Sequence, residues 1–262
     1  MPAKLSVNVN KYALVRNSRG HDAPNLQWAA DLCIAAGAHG ITVHPRGDQR
    51  HVRFEDVPVM AAHLRAHHPQ IELNVECEAA PQILELVLAV KPAQCTLVPV
   101  TPGEVTSDHG YRSGDVESLV PVVARLHAAG IRVSLFVDCE PEQVRALART
   151  GADRVELYTG PYAHSFGTPD EAAQTRAVYE SAKAAREVGL GLNAGHDLDR
   201  VNLHGLRELV GLCEVSIGHA HICRALEVGT AQSVRELLLA LGHPVVPSLT
   251  SPRPSIDQAS ES

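Results

Sequence analysis

Short runs of β-branched and other apolar residues alternate along the chain with longer segments whose apolar positions recur at the 3.6-residue period of a helix. The pattern predicts eight units, each a strand followed by a helix. The predicted strands cover residues 5–10, 40–44, 71–76, 94–100, 132–138, 154–159, 190–193 and 214–218. The predicted helices lie near residues 26–37, 55–68, 79–89, 116–129, 141–150, 169–188, 202–210 and 222–241. Strict alternation of this kind predicts a parallel sheet covered by helices.

A closed barrel is favoured over a doubly wound open sheet. Eight units within about 250 residues are typical of the single-domain (β/α)8, or TIM, barrel. Neither G-x-G-x-x-G after the first strand nor G-x-x-x-x-G-K-S/T occurs, and these are the common nucleotide-binding signals of open sheets. Gly37, Gly130 and Gly151 stand where predicted helices end, as expected for left-handed C-terminal caps. We predict an α/β barrel over residues 1–242 and a disordered Pro- and Ser-rich tail over 243–262.

Composition narrows the class of partner. The chain of 262 residues has a net charge of −7, no basic stripe and only 3% aromatic residues, which argues against nucleic-acid or membrane surfaces. No signal peptide or long apolar segment is present, and the six cysteines form no C-x-x-C pair. We therefore expect a cytoplasmic protein with reduced cysteines that acts on small molecules.

Polar residues concentrate where the predicted strands end, which is where the active sites of such barrels lie. They are Asn8, Asn10, Lys11, His44, Arg46, Asn74, Glu76, Asp138, Glu156, Thr159, Asn193, His196, Gly218 and His219. Any one alone is more often a helix cap or a hydrogen-bonded structural group, and Asp138 before Pro141 fits a cap. Three histidines, two glutamates and an arginine at one barrel mouth would be costly to desolvate without a purpose, so their convergence predicts acid–base chemistry.

Two anion sites are also indicated. The Gly195-His196 and Gly218-His219 pairs follow the last two strands, where barrels commonly bind phosphate on backbone N–H groups. Simple turn glycines are the alternative. Arg19 and Arg46 are candidates for a second anionic group because guanidinium matches phosphate geometry. The segment 101–115 is longer than most strand-to-helix loops, and is either a lid that brings Thr106 to the substrate or an inert excursion.

Three histidines, His63, His67 and His68, lie in one predicted helix, and the first two have i, i+4 spacing. That helix belongs to the outer ring and supplies no carboxylate partner, so we expect no metal site there. No H-E-x-x-H and no carboxylate-rich cluster occur elsewhere. The sequence therefore predicts chemistry that uses no metal.

Several strand-end motifs together resemble the pyridoxine 5′-phosphate synthases of deoxyxylulose-dependent vitamin B6 biosynthesis. The similarity spans about residues 4–241, and its main motifs are VNVNK at 7–11, GITVHPR at 40–46, NVE at 74–76, NAGH at 193–196 and IGHA at 217–220. The more familiar pattern has Asp-His where this chain has Asn10-Lys11, and a small aliphatic residue in place of Tyr12.

The resemblance implies a cofactor-free homo-octamer that condenses 3-amino-2-oxopropyl phosphate with 1-deoxy-D-xylulose 5-phosphate to pyridoxine 5′-phosphate, phosphate and water. It makes His44 and Glu76 proton acceptors and His196 the proton donor. It assigns the aminoketone phosphate to Asn8, Arg19, Gly218, His219 and the backbone at Asp197, and the deoxyxylulose phosphate to Arg46, His51 and Thr106. Asn10, Lys11 and Glu156, also at strand ends, are further candidates for substrate contact.

Two other readings stay open. The first is a different phosphate-binding barrel, such as a sugar-phosphate isomerase or an aldolase, for which Lys11 is the one suitably placed lysine. The second is a catalytically inactive barrel used as a binding module. The joint presence of His44, Glu76 and His196 argues against the second reading.

Overall fold

Eight parallel strands, hydrogen-bonded in chain order with the last paired to the first, close a barrel in the computed structural model, which describes residues 2–100 and 107–244. The strands are β1 Lys4–Asn8, β2 Gly40–Val43, β3 Glu72–Cys77, β4 Gln94–Leu97, β5 Arg132–Val137, β6 Arg154–Tyr158, β7 Gly191–Gly195 and β8 Leu212–Ile217. The predicted (β/α)8 TIM barrel is confirmed.

The α-helices of the described residues cover the outside of the barrel. They are α1 Asn10–Asn17, α2 Leu26–Ala35, α3 Asp56–His67, α4 Pro81–Val90, α5 Val116–Ala128, α6 Pro141–Leu147, α7 Gly160–Ser165, α8 Glu171–Glu187, α9 His219–Val228 and α10 Thr230–Ala240. Short 3₁₀ helices cover Ser113–Asp115, Ala148–Thr150 and Asn202–Leu206. Gly37, Gly130 and Gly151 all have positive φ, as predicted.

Four features of the secondary structure differ from the sequence prediction. The first strand ends at Asn8 rather than residue 10, because the Asn8 side chain accepts the N–H of Asn10 (3.0 Å) where α1 begins. Helices α1 and α7 are short and directly follow strands, so neither gives a clear periodic signal. The predicted helix 222–241 is divided by Gly229, whose φ is +85°. The predicted helix 202–210 is the short 3₁₀ turn.

Successive residues of each strand point alternately outward, into an apolar layer under the helices, and inward, into a polar barrel interior. Leu5, Val7 and their counterparts in the other strands are fully buried in the layer that packs under the helices. The intervening residues face inward and bond one another: Ser6 Oγ lies 2.6 Å from Thr42 Oγ1, and Thr96 Oγ1 lies 3.0 Å from Asn74 Oδ1. The same alternation directs the strand-end residues toward the mouth.

A buried polar cluster ties α1 to α9 and α10. The Ser233 hydroxyl donates to the His221 carbonyl and contacts His221 Nδ1 (2.9 Å each), so Nδ1 carries the ring proton. His221 Nε2 then accepts from the Tyr12 hydroxyl (3.1 Å), which also contacts Thr230 Oγ1 (2.7 Å). Tyr12, which departs from the familiar family pattern, therefore joins three helices.

This cluster predicts a pH-dependent stability. Burial lowers the pKa of His221 to about 4, so the unfolded chain, where its pKa is near 6.5, takes up the proton first. The stabilising contribution is present above pH 6.5 and is lost as the pH falls toward 4. Between pH 7 and pH 5 we expect it to decrease by about 2 kcal/mol. Urea unfolding of His221→Asn should show a correspondingly flatter pH profile, whereas the exposed control His21→Asn should keep the wild-type slope.

The remaining predictions about the chain concern its cysteines and its long loop. All six cysteines are free, and Cys33, Cys77 and Cys95 are buried. No helix of the described residues is long and apolar enough to cross a membrane.

Tyr111 donates its N–H to the Phe136 carbonyl (2.8 Å), which fixes this part of the predicted lid to β5. The other part, 101–106, lies outside the described residues, as does the predicted tail from 245 onward.

Two smaller expectations are corrected. Asp138 does not cap α6, because its Oδ1 accepts the N–H of Gly110 (2.9 Å) and the residue before α6 is Glu140. His243 was assigned to the tail, but its Nε2 contacts the carbonyl oxygen of Ala3 (2.8 Å), so it packs against the barrel.

Candidate active site

The main cavity of the described residues, about 590 Å³, opens at the carboxyl ends of the strands, and this volume suits small-molecule substrates. Most of the residues predicted from the sequence line it: Asn8, Asn10, Lys11, His44, Arg46, His51, Glu76, Glu156, His196, Asp197, Gly218 and His219. Asn74, Asp138, Thr159 and Asn193 are not part of the lining. Arg19 is exposed just beyond α1 and is not part of the lining either, and Thr106 lies outside the described residues.

Glu76, on β3, lies at the centre of the polar groups in the mouth. Its carboxylate accepts hydrogen bonds from Asn8 Nδ2 and from Ser216 Oγ, both at 3.3 Å, and Oε2 lies 3.6 Å from His44 Nδ1. Burial raises the pKa of Glu76 to about 7, although the two donors and His196 oppose this shift. A carboxyl group with this pKa can both remove and return a proton near neutral pH.

His44 follows β2 and is nearly enclosed. The Asn10 side-chain oxygen accepts its backbone N–H (2.9 Å), which fixes the turn and gives Asn10 a structural contact in addition to its place in the lining. Burial, followed by the nearby charges of His51 and Arg46, lowers the pKa of His44 well below 6.5. Its Nε2 is buried with no hydrogen-bond partner among the described residues. A neutral imidazole whose nitrogen needs a partner is well suited to contact a substrate.

Glu156, on β6, is a second buried carboxyl group beside Glu76. Burial and the neighbouring charges of Glu76 and Glu214 raise the pKa of Glu156 well above its ordinary value, because both disfavour a further negative charge in the mouth. The Glu156 side chain occupies space that is free only because residue 195 is glycine. A Cβ atom at residue 195 would overlap the Glu156 carboxyl group. The predicted turn glycine is thus also a packing requirement of the site.

Gly195→Ala is therefore expected to displace Glu156 and disturb the site. The overlap should lower the free energy of unfolding by about 1–3 kcal/mol, the usual cost of overpacking, and turnover should fall with it. Chemical unfolding and steady-state kinetics would measure both effects. Gly114→Ala is the matched control, because a Cβ atom there has no neighbour within 4 Å. Equal behaviour of the two variants would contradict the packing role.

His196 and Asp197 form a turn directly after β7 in an uncommon backbone conformation, with φ of +85° and +58°. Thr159 Oγ1 holds this turn by donating to the carbonyl oxygens of Gly195 and His196, each at 2.7 Å. His196 Nδ1 lies 3.1 Å from Asp197 Oδ2, and this contact lowers the pKa of Asp197. The carboxylate orients the imidazole. Backbone conformations with positive φ, like those of these two residues, often occur at functional sites.

Cationic groups gather on the β1–β2 side of the mouth. Lys11, in the first turn of α1, lines the cavity together with Arg46 and Arg50. Burial, followed by the charges of Arg50 and Arg46, lowers the pKa of His51 to about 4. His51 Nδ1 accepts the N–H of Val52 (2.9 Å), so the neutral ring carries its proton on Nε2. The side chains here are donors suited to an anion.

A different surface suited to anions lies at the start of α9. Gly218 precedes the helix, and the first backbone N–H groups of a helix have no partners within it. A Cβ atom at Gly218 would lie 3.0 Å from the Asn8 Cβ and 3.1 Å from its Oδ1, so glycine allows β1 and α9 to approach closely. His219 also lines the cavity here.

Several lining residues were not predicted from the sequence. Ser216 follows the inward alternation of β8 and could have been found from it, and Arg50 lies beyond the end of β2. Tyr158 packs edge-on against His196, with ring centroids 5.1 Å apart. His164 Nε2 lies 3.8 Å from Asp197 Oδ2. His164 belongs to the unpredicted helix α7, so strand ends alone could not reveal it.

The histidines of α3 have a carboxylate partner from a neighbouring helix, which the sequence analysis did not foresee. Asp31 on α2 contacts both His63 and His68, and the three form a group that could hold a metal ion. This group lies outside the cavity lining.

The fold and the mouth together define a (β/α)8-barrel enzyme that combines acid–base groups with two sites suited to anions. The family described as pyridoxal phosphate biosynthesis protein PdxJ matches residues 5–243. A pyridoxine 5′-phosphate synthase of Albidiferax ferrireducens is 47% identical over 245 residues, which cover 91% of this chain and 97% of that protein. One of Bacteroides thetaiotaomicron is 48% identical over 235 residues, with 89% and 97% covered. The chain belongs to this family of pyridoxine biosynthesis enzymes, as the strand-end motifs indicated.

Solved structures support the fold alone. A Mycobacterium tuberculosis tryptophan synthase chain superposes with a TM-score of 0.64 at 14% identity, covering 92% of this chain and 93% of that one. A phosphoribosyl anthranilate isomerase superposes with a TM-score of 0.58 at 12% identity, covering 92% and 98%. At such identities the likeness concerns the barrel and not the chemistry.

Proposed function

We propose that this chain condenses 3-amino-2-oxopropyl phosphate with 1-deoxy-D-xylulose 5-phosphate to give pyridoxine 5′-phosphate, inorganic phosphate and water. The proposal rests on family membership and, in the site itself, on one observation: Glu76, with a pKa of about 7, lies between His44 and the other polar groups of the mouth. Joining an amine to a ketone and closing an aromatic ring require repeated removal of protons from carbon and protonation of departing oxygens.

The acid–base groups take different roles in these proton transfers because they differ in protonation state. Ionised Glu76 and neutral His44 act as proton acceptors, and His196, oriented by Asp197, acts as the proton donor. Glu156 is a second carboxyl group beside Glu76, and its raised pKa disfavours a second negative charge in the mouth.

The two anionic substrates occupy neighbouring parts of the mouth, one after β1 and β2 and the other after β8. The deoxyxylulose phosphate binds near Lys11, Arg46 and His51, where cationic and N–H donors gather. The aminoketone phosphate binds at Gly218 and His219, on the first turn of α9, close to Asn8. Holding both phosphates places the amine and the ketone next to each other and removes much of the entropic cost of their encounter.

The direct test is incubation of the purified chain with both substrates in the presence of a chelator. We expect pyridoxine 5′-phosphate and inorganic phosphate to appear in equal amounts. Folded protein that releases neither product would contradict the proposal. In that case, borohydride reduction in the presence of each ketone substrate, with Lys11→Arg as control, would test for an imine at Lys11 and hence for aldolase chemistry.

We further propose that the protein works in the cytoplasm as a homo-octamer, as its family resemblance implies. Large apolar side chains are exposed on the single chain, among them Leu226 (83%) and Val210 (64%), and contact between copies would cover such groups. Light scattering of the purified protein should give eight chains per particle. A stable monomer would contradict this part of the proposal.

A further inference from the structure

Three metal-binding side chains meet on the outside of the barrel where α2 packs against α3. Asp31 belongs to α2, His63 belongs to α3, and His68 directly follows α3. One ligand atom from each lies within 4.8 Å of the others. In the described part of the chain this is the only such group of histidine, cysteine and carboxylate side chains, and none of the three lines the catalytic cavity.

The relative position of the His63 and His68 imidazole rings depends on the conformation in which α3 ends. In a continuous helix, residues 63 and 68 would point roughly 140° apart. His68 leaves the helical conformation, with φ of −139° and ψ of 56°, and its ring returns to the side of His63. As a result His63 Nε2 and His68 Nε2 both contact the same atom, Asp31 Oδ1, at 2.7 and 2.8 Å.

We propose that Asp31, His63 and His68 bind one Zn²⁺ ion, with water as the fourth ligand. Two imidazoles and one carboxylate are a common ligand set for zinc in an open, four-coordinate site. Zn–N and Zn–O bonds of about 2.0–2.2 Å require each Nε2 atom to move away from Asp31 Oδ1 by roughly half an ångström, which is a small side-chain movement. Each ring would carry its proton on Nδ1 and present the Nε2 lone pair to the ion.

The exposure of the three side chains suits an ion that enters from solvent. Asp31 is 44% exposed, whereas His63 and His68 are 19% and 23% exposed, so the rings are supported by packing while one side of the group stays open. The ligands come from two helices, so the bound ion would join α2 to α3. Because the unfolded chain does not hold the ligands together, binding should stabilise the folded protein.

The single tryptophan of the chain provides a local probe. Trp28 lies three residues before Asp31 in α2, one turn away on the same side of the helix. The untagged full-length protein, stripped with chelator, would be titrated with Cu²⁺, a quencher of tryptophan fluorescence that binds such sites more tightly than Zn²⁺. We expect saturable quenching at one equivalent per chain, and its reversal by excess Zn²⁺.

Variants distinguish this group from the alternative i, i+4 pair His63 and His67. Asp31→Asn and His68→Asn should weaken binding by about 10-fold or more. His67→Asn, at an exposed position beside the group, should retain wild-type affinity and serves as the control. Zn²⁺ should raise the unfolding temperature of wild type and of His67→Asn but not of Asp31→Asn. Without metal, all variants should turn over substrate like wild type.

Two results would overturn the proposal. The first is the absence of saturable quenching at one equivalent. The second is a loss of affinity in His67→Asn with none in Asp31→Asn, which would assign binding to the helical pair. Neither outcome depends on the synthase reaction, so the two proposals can fail separately.

Discussion

Replacing Glu76 by Gln is expected to lower kcat by about 10²- to 10⁴-fold, the range for loss of a general acid–base group. The amide has nearly the same shape and can still accept a hydrogen bond from Asn8 or Ser216, so the barrel should remain folded. It cannot take up a proton. Steady-state turnover at substrate saturation, with circular dichroism to check folding, would measure the effect.

The pH dependence of activity gives a more specific test of the role of Glu76. The pKa of Glu76 is about 7, and its ionised form is the proposed base, so wild-type activity should rise as the pH increases through 7. This acidic limb should be absent from the residual activity of Glu76→Gln. Glu76→Asp should keep the limb at reduced kcat, because it retains a carboxylate at a shorter reach.

Glu78→Gln is the matched control for Glu76→Gln, since it removes a carboxylate two residues away that does not line the cavity. It should leave kcat and the pH profile unchanged. Equal losses in both variants would indicate a general electrostatic or structural effect, and near-wild-type turnover of Glu76→Gln would remove Glu76 from the mechanism.

The position of Glu76 was predictable from the sequence because two simple regularities determine it. Inward and outward residues alternate along a strand, and the carboxyl ends of all eight strands meet at one mouth. Asn8, His44 and Glu76 therefore lie together although up to 68 residues separate them along the chain. Which residues meet at the mouth depends on where each strand ends and on the order of the strands. The alternating pattern of strands and helices already predicts both.

The properties that depend on packing between distant segments were not predictable in the same way. The raised pKa of Glu76 depends on how completely its neighbours exclude water. The carboxylate beside His63 comes from Asp31, 32 residues earlier, and becomes a partner only because α2 packs on α3. Arg19 was chosen for its charge, but the end of α1 leaves it exposed and away from the lining.

Replacing His196 by Asn is expected to lower kcat by about 10²-fold or more, because the proposed proton donor to the departing oxygens is lost. Asn suits this position for two reasons. It tolerates the positive φ of +85°, and its amide can preserve the contact with Asp197. The loss should therefore appear in kcat with little change in unfolding temperature. Asp197→Asn, which only removes the orienting charge, should have a smaller effect of about tenfold.

Chemical rescue separates proton donation by His196 from a structural role. His196→Gly accepts the same backbone conformation and leaves space for a small molecule in the mouth. Added imidazole should restore part of its turnover in a saturable manner, with greater rescue at pH values where imidazolium is abundant. The double variant with Glu76→Gln should show no such recovery, because the proton acceptor is also missing. If imidazole restores nothing to a folded His196→Gly protein, proton donation must be assigned to another group in the mouth, and His164, which lies beside Asp197, would be tested next.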